Sequence, residues 1–189
     1  MINKSYIYEP QEDSYMLKDA IEKFLKKNKC ELCLDLGCGS GIQGINMIEH
    51  CTRVVCSDVN EDAIKHVKNT TRDRDEIKVI KSNLFDNLSE YKKSFDLIAF
   101  NPPYLPREED EEDDLALTSG VEGINITKKF IEDSKEYLKE NGRLIFVVSS
   151  LSNVHEVHEA LEKNNYKYQV LESKHFFFED VMIYEAKLK

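Results

Sequence analysis

Leu32-Cys33-Leu34-Asp35-Leu36-Gly37-Cys38-Gly39-Ser40-Gly41 runs from a short apolar segment into a turn of alternating glycines. Leu32 to Leu36 reads as a strand, and beyond the turn Ile42, Ile45 and Ile48 recur at helical spacing. Working outward, Leu17, Ile21, Phe24 and Leu25 mark an amphipathic helix over residues 14–27, with Asp13 or Ser14 as its cap. Downstream come a strand over Arg53 to Ser57, a helix over Asp62 to Asn69, and strands over Ile77 to Ile80 and Asp96 to Phe100. A polar, acidic loop spans Pro106 to about Gly123. The spacing of Phe130, Ile131, Tyr137 and Leu138 then predicts a helix from Thr127 to Glu140, ended by Asn141-Gly142. Arg143 to Val148 is nearly continuous in apolar residues, as a central parallel strand is. Asn153 caps a helix carrying Val154, Val157 and Leu161, and strands over Lys167 to Leu171 and Val181 to Lys187 follow. Strands alternating with crossover helices predict a doubly wound α/β sheet, one domain over residues 1–189.

The glycine turn has chemistry of its own. Glycine permits a sharp turn and a close approach to a ligand, and the helix start behind it offers N–H groups without partners. Gly39-x-Gly41-x-x-Gly44 matches a dinucleotide fingerprint by count, which leaves nicotinamide and adenosylmethionine cofactors both open. Asp58 ends the second strand, where a carboxylate can take both hydroxyls of a ribose. Asp35 favours the second cofactor: a carboxylate just before the turn suits a cationic amino-acid tail and repels a pyrophosphate. The bland alternative is that Asp35 caps the glycine loop.

Asn101-Pro102-Pro103-Tyr104 follows directly on Leu97-Ile98-Ala99-Phe100, at a strand end where open α/β sheets place their sites. Two prolines in succession fix φ twice and supply no N–H, so the turn is stiff and its carbonyls stay available. The Asn101 side-chain oxygen and the Pro102 carbonyl make two acceptors for one planar –NH2 group. Tyr104 can lie flat on the same π-system. A nitrogen of an amide or an aromatic amine fits such a box.

The 189 residues, 41% hydrophobic, suit one globular core, and the longest apolar stretch, Leu144 to Val148, is far short of a membrane span. Five cysteines without framework spacing point to reduced thiols in a cytoplasmic protein. Cys30-x-x-Cys33 lacks a second pair at metal-site spacing, so no metal is expected. A net charge of −10 is the wrong sign for stable nucleic-acid binding and suits a basic protein partner. The run Glu108 to Asp114 beside the box is either a solvated loop or a lure for a basic segment. His155 and His158 read as exposed helix residues, and His175-Phe176-Phe177-Phe178 as packing of the last strand or a substrate wall.

Together these motifs resemble the class I adenosylmethionine-dependent methyltransferases, and in particular their N-methylating branch. The opening Tyr8-Glu9-Pro10-Gln11-Glu12-Asp13-Ser14 narrows the resemblance to the short HemK-like enzymes, which methylate the Gly-Gly-Gln glutamine of class I peptide release factors. The resemblance implies a Rossmann-like seven-stranded sheet, mostly parallel, with an antiparallel strand near the C-terminus and order 3-2-1-4-5-7-6. It implies S-adenosyl-L-methionine lined by Ser14, Asp35, Gly37, Gly39, Asp58, Asn83, Leu84 and Asn101. It also implies that Asn101, Pro102, Pro103 and Tyr104 bind substrate, with Asn101, Pro102 and Tyr104 acting in catalysis. Asn83 departs from the family, which usually has Asp there to accept from the adenine amino group. Bacterial relatives carry an N-terminal helical domain for the release factor; one helix stands there in this chain, so substrate recognition is expected from loops or a partner. The resemblance further implies a small zinc-ribbon activator, for which the open Ile77-to-Ile80 edge offers a place. An adenine-N6 nucleic-acid methyltransferase, a lysine methyltransferase and a non-catalytic binding protein remain as alternatives.

Overall fold

The structure is a computed structural model, and it describes residues 7–103, 120–176 and 178–189. Its seven strands are β1 (Cys30–Leu36), β2 (Cys51–Asp58), β3 (Ile77–Lys81), β4 (Phe95–Phe100), β5 (Leu138–Ser149), β6 (Tyr166–Phe176) and β7 (Glu179–Leu188). They form one sheet in the order β3-β2-β1-β4-β5-β7-β6, as expected. The first five are parallel, and β7 runs antiparallel between β5 and β6. The sheet and its crossover helices make a Rossmann-like, doubly wound α/β fold.

Five α-helices accompany them: α1 (Glu12–Leu25), α2 (Ile42–Ile48), α3 (Glu61–Thr70), α4 (Gly120–Ser134) and α5 (Val154–Lys163). The alternation of side chains along each strand feeds two apolar layers. Leu34, Phe100, Leu144 and Phe146 pack with Phe130 and Ile131 of α4 and Val157 and Leu161 of α5. Cys33, Val54, Ala99 and Ile145 pack with Leu17 and Ile21 of α1, Met47 of α2 and Val67 of α3. Consecutive residues of β5 thus serve opposite layers, which is why that strand has no polar alternation.

Three expectations need correction. Asp13 and Ser14 do not cap α1: Gln11 is its N-cap, without a side-chain bond, and both residues sit buried inside the first turn. The helix expected over Thr127 to Glu140 lies instead over Gly120–Ser134. Tyr137 and Leu138 continue the helical spacing, but tertiary contacts claim them. The Tyr137 ring stacks on Phe85 at 4.5 Å, and Leu138 opens β5 opposite Phe95. Asn141-Gly142 therefore ends no helix; it falls where the register slips, between the pairs Phe95–Leu138 and Leu97–Arg143. A Cβ on Gly142 would stand 2.8 Å from the Phe95 carbonyl oxygen, so a side chain there would push the two strands apart.

The third correction concerns the histidines and the aromatic run. His155 is exposed, but half-buried His158 places Nε2 2.8 Å from the Tyr184 hydroxyl and stacks on Tyr168. Phe176 packs against the core, Phe178 is 93% exposed, and Phe177 lies outside the described residues. Among the described residues no helix is long and apolar enough to cross a membrane.

Candidate active site

The C-terminal ends of four adjacent strands bring the sequence-predicted residues into one row. Leu36 is level with Ser57 on one side and Phe100 on the other, and Asp58 is level with Lys81. Asp35, the glycine turn, Asp58, Asn83 and Asn101 therefore face the same end of the sheet although up to 66 residues separate them in the chain.

The turn is built from three left-handed glycines: φ is +63° at Gly37, +50° at Gly39 and +81° at Gly41. A side chain at any of them would be strained. A Cβ on Gly37 would press on the Phe100 ring at 3.1 Å, whereas one on Gly39 would meet nothing within 4 Å. Open space thus begins directly over Gly39. The two acidic residues frame this loop from behind. Asp35 Oδ2 accepts the Gly44 N–H at 2.8 Å in the first turn of α2, and the residue is only 2% exposed. Burial pushes its carboxyl up to about 7, against the lowering influence of the Gly44 N–H, and the nearby Asp58 charge adds to the rise. The capping alternative for Asp35 is therefore met in the geometry, with a buried carboxyl standing behind the loop.

Asp58 is half-buried and divides its carboxylate: Oδ2 accepts from Gly39 N at 2.9 Å and Oδ1 from Asn60 N at 2.8 Å. Burial raises its carboxyl pKa and the backbone N–H groups lower it. A third backbone N–H, of Val59, also reaches the carboxylate, and two oxygens with about four lone-pair sites still have capacity beyond these bonds. Asn83 is exposed next to the end of β3, and Leu84 is half-buried with φ +46°, held by the Ser82 hydroxyl donating to its carbonyl at 2.8 Å.

Asn101 lies just past β4, with Pro102 buried and Pro103 half-buried behind it. Its Nδ2 donates to Asp13 Oδ2 at 2.8 Å and lies 3.5 Å from Ser14 Oγ. Its Oδ1 is buried and accepts no hydrogen bond from the described residues. A buried acceptor without a donor costs about 1–3 kcal/mol, so such an atom points to a ligand that supplies the donor. Tyr104 and the acidic run Glu108 to Asp114 lie outside the described residues.

Sequence reasoning missed Asp13 and Tyr8. Asp13 is 4% exposed, and its Oδ1 gathers Ser14 N at 2.6 Å, Tyr8 Oη at 3.1 Å and Ser14 Oγ at 3.2 Å. Burial, followed by the Asp13 charge, drives the Tyr8 phenol far above its ordinary range, so it stays protonated as a donor. Gln43 of α2 fastens the same corner, its Nε2 donating to the Ser14 carbonyl at 2.8 Å. The Tyr8-to-Ser14 segment carries the signal, but spacing alone makes Asp13 a helix cap.

Comparison with known proteins places the chain in a family. A family model described as the methyltransferase small domain matches residues 18–178. A Methanocaldococcus jannaschii protein, provisionally named a protein N5-glutamine methyltransferase, is 33% identical over 95% of this chain and 91% of its own length. The release factor glutamine methyltransferase of Clostridium acetobutylicum is 26% identical over 83% of this chain, which spans only 60% of that protein. Among solved structures, a chain of the E. cuniculi Mtq2–Trm112 complex superposes with TM-score 0.75 at 26% identity, covering 96% of this chain and 98% of that one. That complex is described as responsible for methylating the eRF1 translation termination factor.

Proposed function

The chain belongs to the methyltransferase small-domain family, and from that premise we propose that it methylates the side-chain nitrogen of the Gly-Gly-Gln glutamine in a class I peptide release factor, using S-adenosyl-L-methionine. The observation that carries this reading is Asn101 Oδ1, a buried acceptor with no donor among the described residues, beside the φ-restricted Pro102-Pro103 pair. A primary amide presents two N–H donors in one plane, which the Asn101 oxygen and the Pro102 carbonyl can take together.

The site fits the cofactor. The space over Gly39 lies next to the half-buried Asp58 carboxylate, whose remaining lone pairs suit two ribose hydroxyls. Asn83 would accept from the adenine amino group through its carbonyl oxygen, without charge assistance, and Leu84 would wall the base. Asp35 would lend its buried charge, behind Gly37, to the cationic amino-acid tail, with Ser14 beside it. Bound there, the cofactor supplies an electrophilic methyl on a sulfonium.

The protein's contribution is orientation. Asn101 and Pro102 hold the amide hydrogens in plane, so the nitrogen's π-density points out of that plane along the line of attack. Tyr104 would cover the opposite face of the amide. With the cofactor held by Asp35, Asp58, Asn83 and Leu84, its methyl would pass from sulfur to the amide nitrogen that Asn101 and Pro102 present, and that nitrogen would then lose one proton to solvent. Two acceptors at the N–H groups steady the positive charge that develops before that loss. No ionisable base has to act first, which distinguishes an amide from a lysine ammonium.

The test is mass spectrometry of a release factor incubated with the protein and cofactor. One added methyl on the Gly-Gly-Gln glutamine is expected; its absence overturns the substrate assignment. An adenine amino group would satisfy the same pair of acceptors, but the charge of −10 opposes a polynucleotide. Methyl transfer to DNA or RNA with steep salt dependence would favour that rival.

A small zinc-ribbon protein is proposed as a second partner, paired along β3. That strand ends the sheet order, and beside its exposed Lys78 and Lys81 stand Glu90 and Glu61 at 3.0 and 3.1 Å. Among the described residues no strand pairs with its outer edge, where Asn87 Nδ2 donates to the Lys81 carbonyl at 2.9 Å, and such an edge suits strand addition. Equal solubility and equal methyl transfer with and without such a protein would overturn this assignment.

A further inference from the structure

We propose that Asp13 is a positioning residue that dictates which end of the Asn101 amide faces the substrate. The inference rests on the glutamine-amide reading above. An amide side chain can be turned end for end at almost no steric cost, so its packing alone cannot decide whether oxygen or nitrogen points into the site. Here the decision is electrostatic. A carboxylate oxygen is an acceptor, and the group that faces Asp13 Oδ2 at 2.8 Å is the Asn101 NH2. That leaves Oδ1 as a buried acceptor with no donor among the described residues. Reversed, Asn101 would meet the substrate N–H with another N–H, donor against donor.

The carboxylate is itself held in place by three donor contacts on its other oxygen: Ser14 N, Ser14 Oγ and Tyr8 Oη. This makes an isosteric substitution diagnostic. In Asp13→Asn the new side chain must keep its oxygen towards Ser14 N and Tyr8 Oη, so its NH2 turns towards position 101. Asn101 must then offer its own oxygen to that NH2 and present its NH2 to the substrate. The shape of the site is kept while the polarity of its central contact is inverted. The double variant Asp13→Asn with Asn101→Asp restores the pattern. Asn at 13 donates to one oxygen of the new carboxylate, and the other oxygen faces the substrate as an acceptor.

Four measurements on the full chain test the idea: thermal unfolding, calorimetry with S-adenosylhomocysteine, kcat and KM on a Gly-Gly-Gln release factor, and hydrogen exchange of the Asn101 side-chain amide by NMR. Asp13→Asn is expected to unfold near the wild-type temperature and to bind S-adenosylhomocysteine as wild type does. Its kcat is expected to fall about 10²-fold, the scale for losing one preorganised contact at a reacting centre. The Asn101 NH2 protons, protected in wild type, should exchange faster in this variant. The double variant is expected to recover at least about tenfold of the lost kcat, a coupling that a merely structural role does not produce. Wild-type kcat in Asp13→Asn, or a double variant no faster than the singles, overturns the proposal. If wild type fails to methylate glutamine, the substrate assignment falls instead. The exchange measurement still decides on Asp13, because unchanged protection of the Asn101 amide in Asp13→Asn rules out the reversal.

Discussion

Asp13 Oδ2 and Asn101 Nδ2 are 2.8 Å apart, although 88 residues separate them in the chain. The bond ties the first turn of α1 to the turn that follows β4, so a helix lying outside the sheet becomes part of the site wall. It also explains why two acidic or polar side chains, Asp13 and Ser14, are buried at 4% and 3% exposure in a helix that packs on an apolar layer. Their polar groups bond to each other, to Asn101, to the Tyr8 hydroxyl and to the Gln43 side chain.

Asn101→Ala removes the buried side-chain acceptor that this reading aims at the substrate amide. Turnover is expected to fall by about 10²-fold or more, while affinity for S-adenosylhomocysteine changes far less. Steady-state kinetics beside calorimetry separates the two effects, and near wild-type turnover would make the box structural.

Asp58→Ala is expected to do the reverse, weakening the product cofactor by tenfold or more. Each charge-assisted bond from a ribose hydroxyl is worth roughly 1.5–3 kcal/mol. The same substitution strips Gly39 N and Asn60 N of their acceptor, so a lower unfolding temperature should accompany the lost affinity.

The buried Asp35 gives the protein a pH signature. Its carboxyl is pushed up to about 7, chiefly by burial, whereas an unfolded Asp titrates near 3.9. Between those values the folded state holds the extra proton, so this group's contribution to stability is full below about pH 4 and is lost as pH rises through about 7. Denaturant unfolding of the ligand-free protein should show stability declining over that window. Asp35→Asn should flatten the decline, leaving the smaller share of Asp58, whose carboxyl is also raised. An unchanged slope in Asp35→Asn would show that the carboxylate is not desolvated.

Gly44→Ala tests the tightness of the seam between α2 and β2. The added Cβ would stand 2.3 Å from the buried Cys56 Sγ and 3.3 Å from Asp35 Oδ2. Overpacking of this kind costs about 1–3 kcal/mol. The cost should shrink in a Cys56→Ala background, where the sulfur is gone, and chemical denaturation of the four proteins measures it.

The sequence by itself determined the alternation of strands and helices, the glycine turn after β1 and the place of the Asn101 box after β4. Those features depend on short-range spacing and on the backbone limits of glycine and proline, which neighbouring residues express directly. The order of the seven strands came from the resemblance those motifs carry, and the structure has the same order. The end of α4 was not legible, because Tyr137 and Leu138 keep helical spacing. Only stacking on Phe85 and pairing with Phe95, from distant parts of the chain, decide that a strand begins there. The role of Asp13 was hidden for the same reason. In sequence it is a polar residue at a helix start and reads as a cap; in the fold it is a buried carboxylate facing Asn101. The direction of the Asn101 amide follows from that contact, since the two ends of an amide are sterically alike and only a partner that can accept but not donate tells them apart.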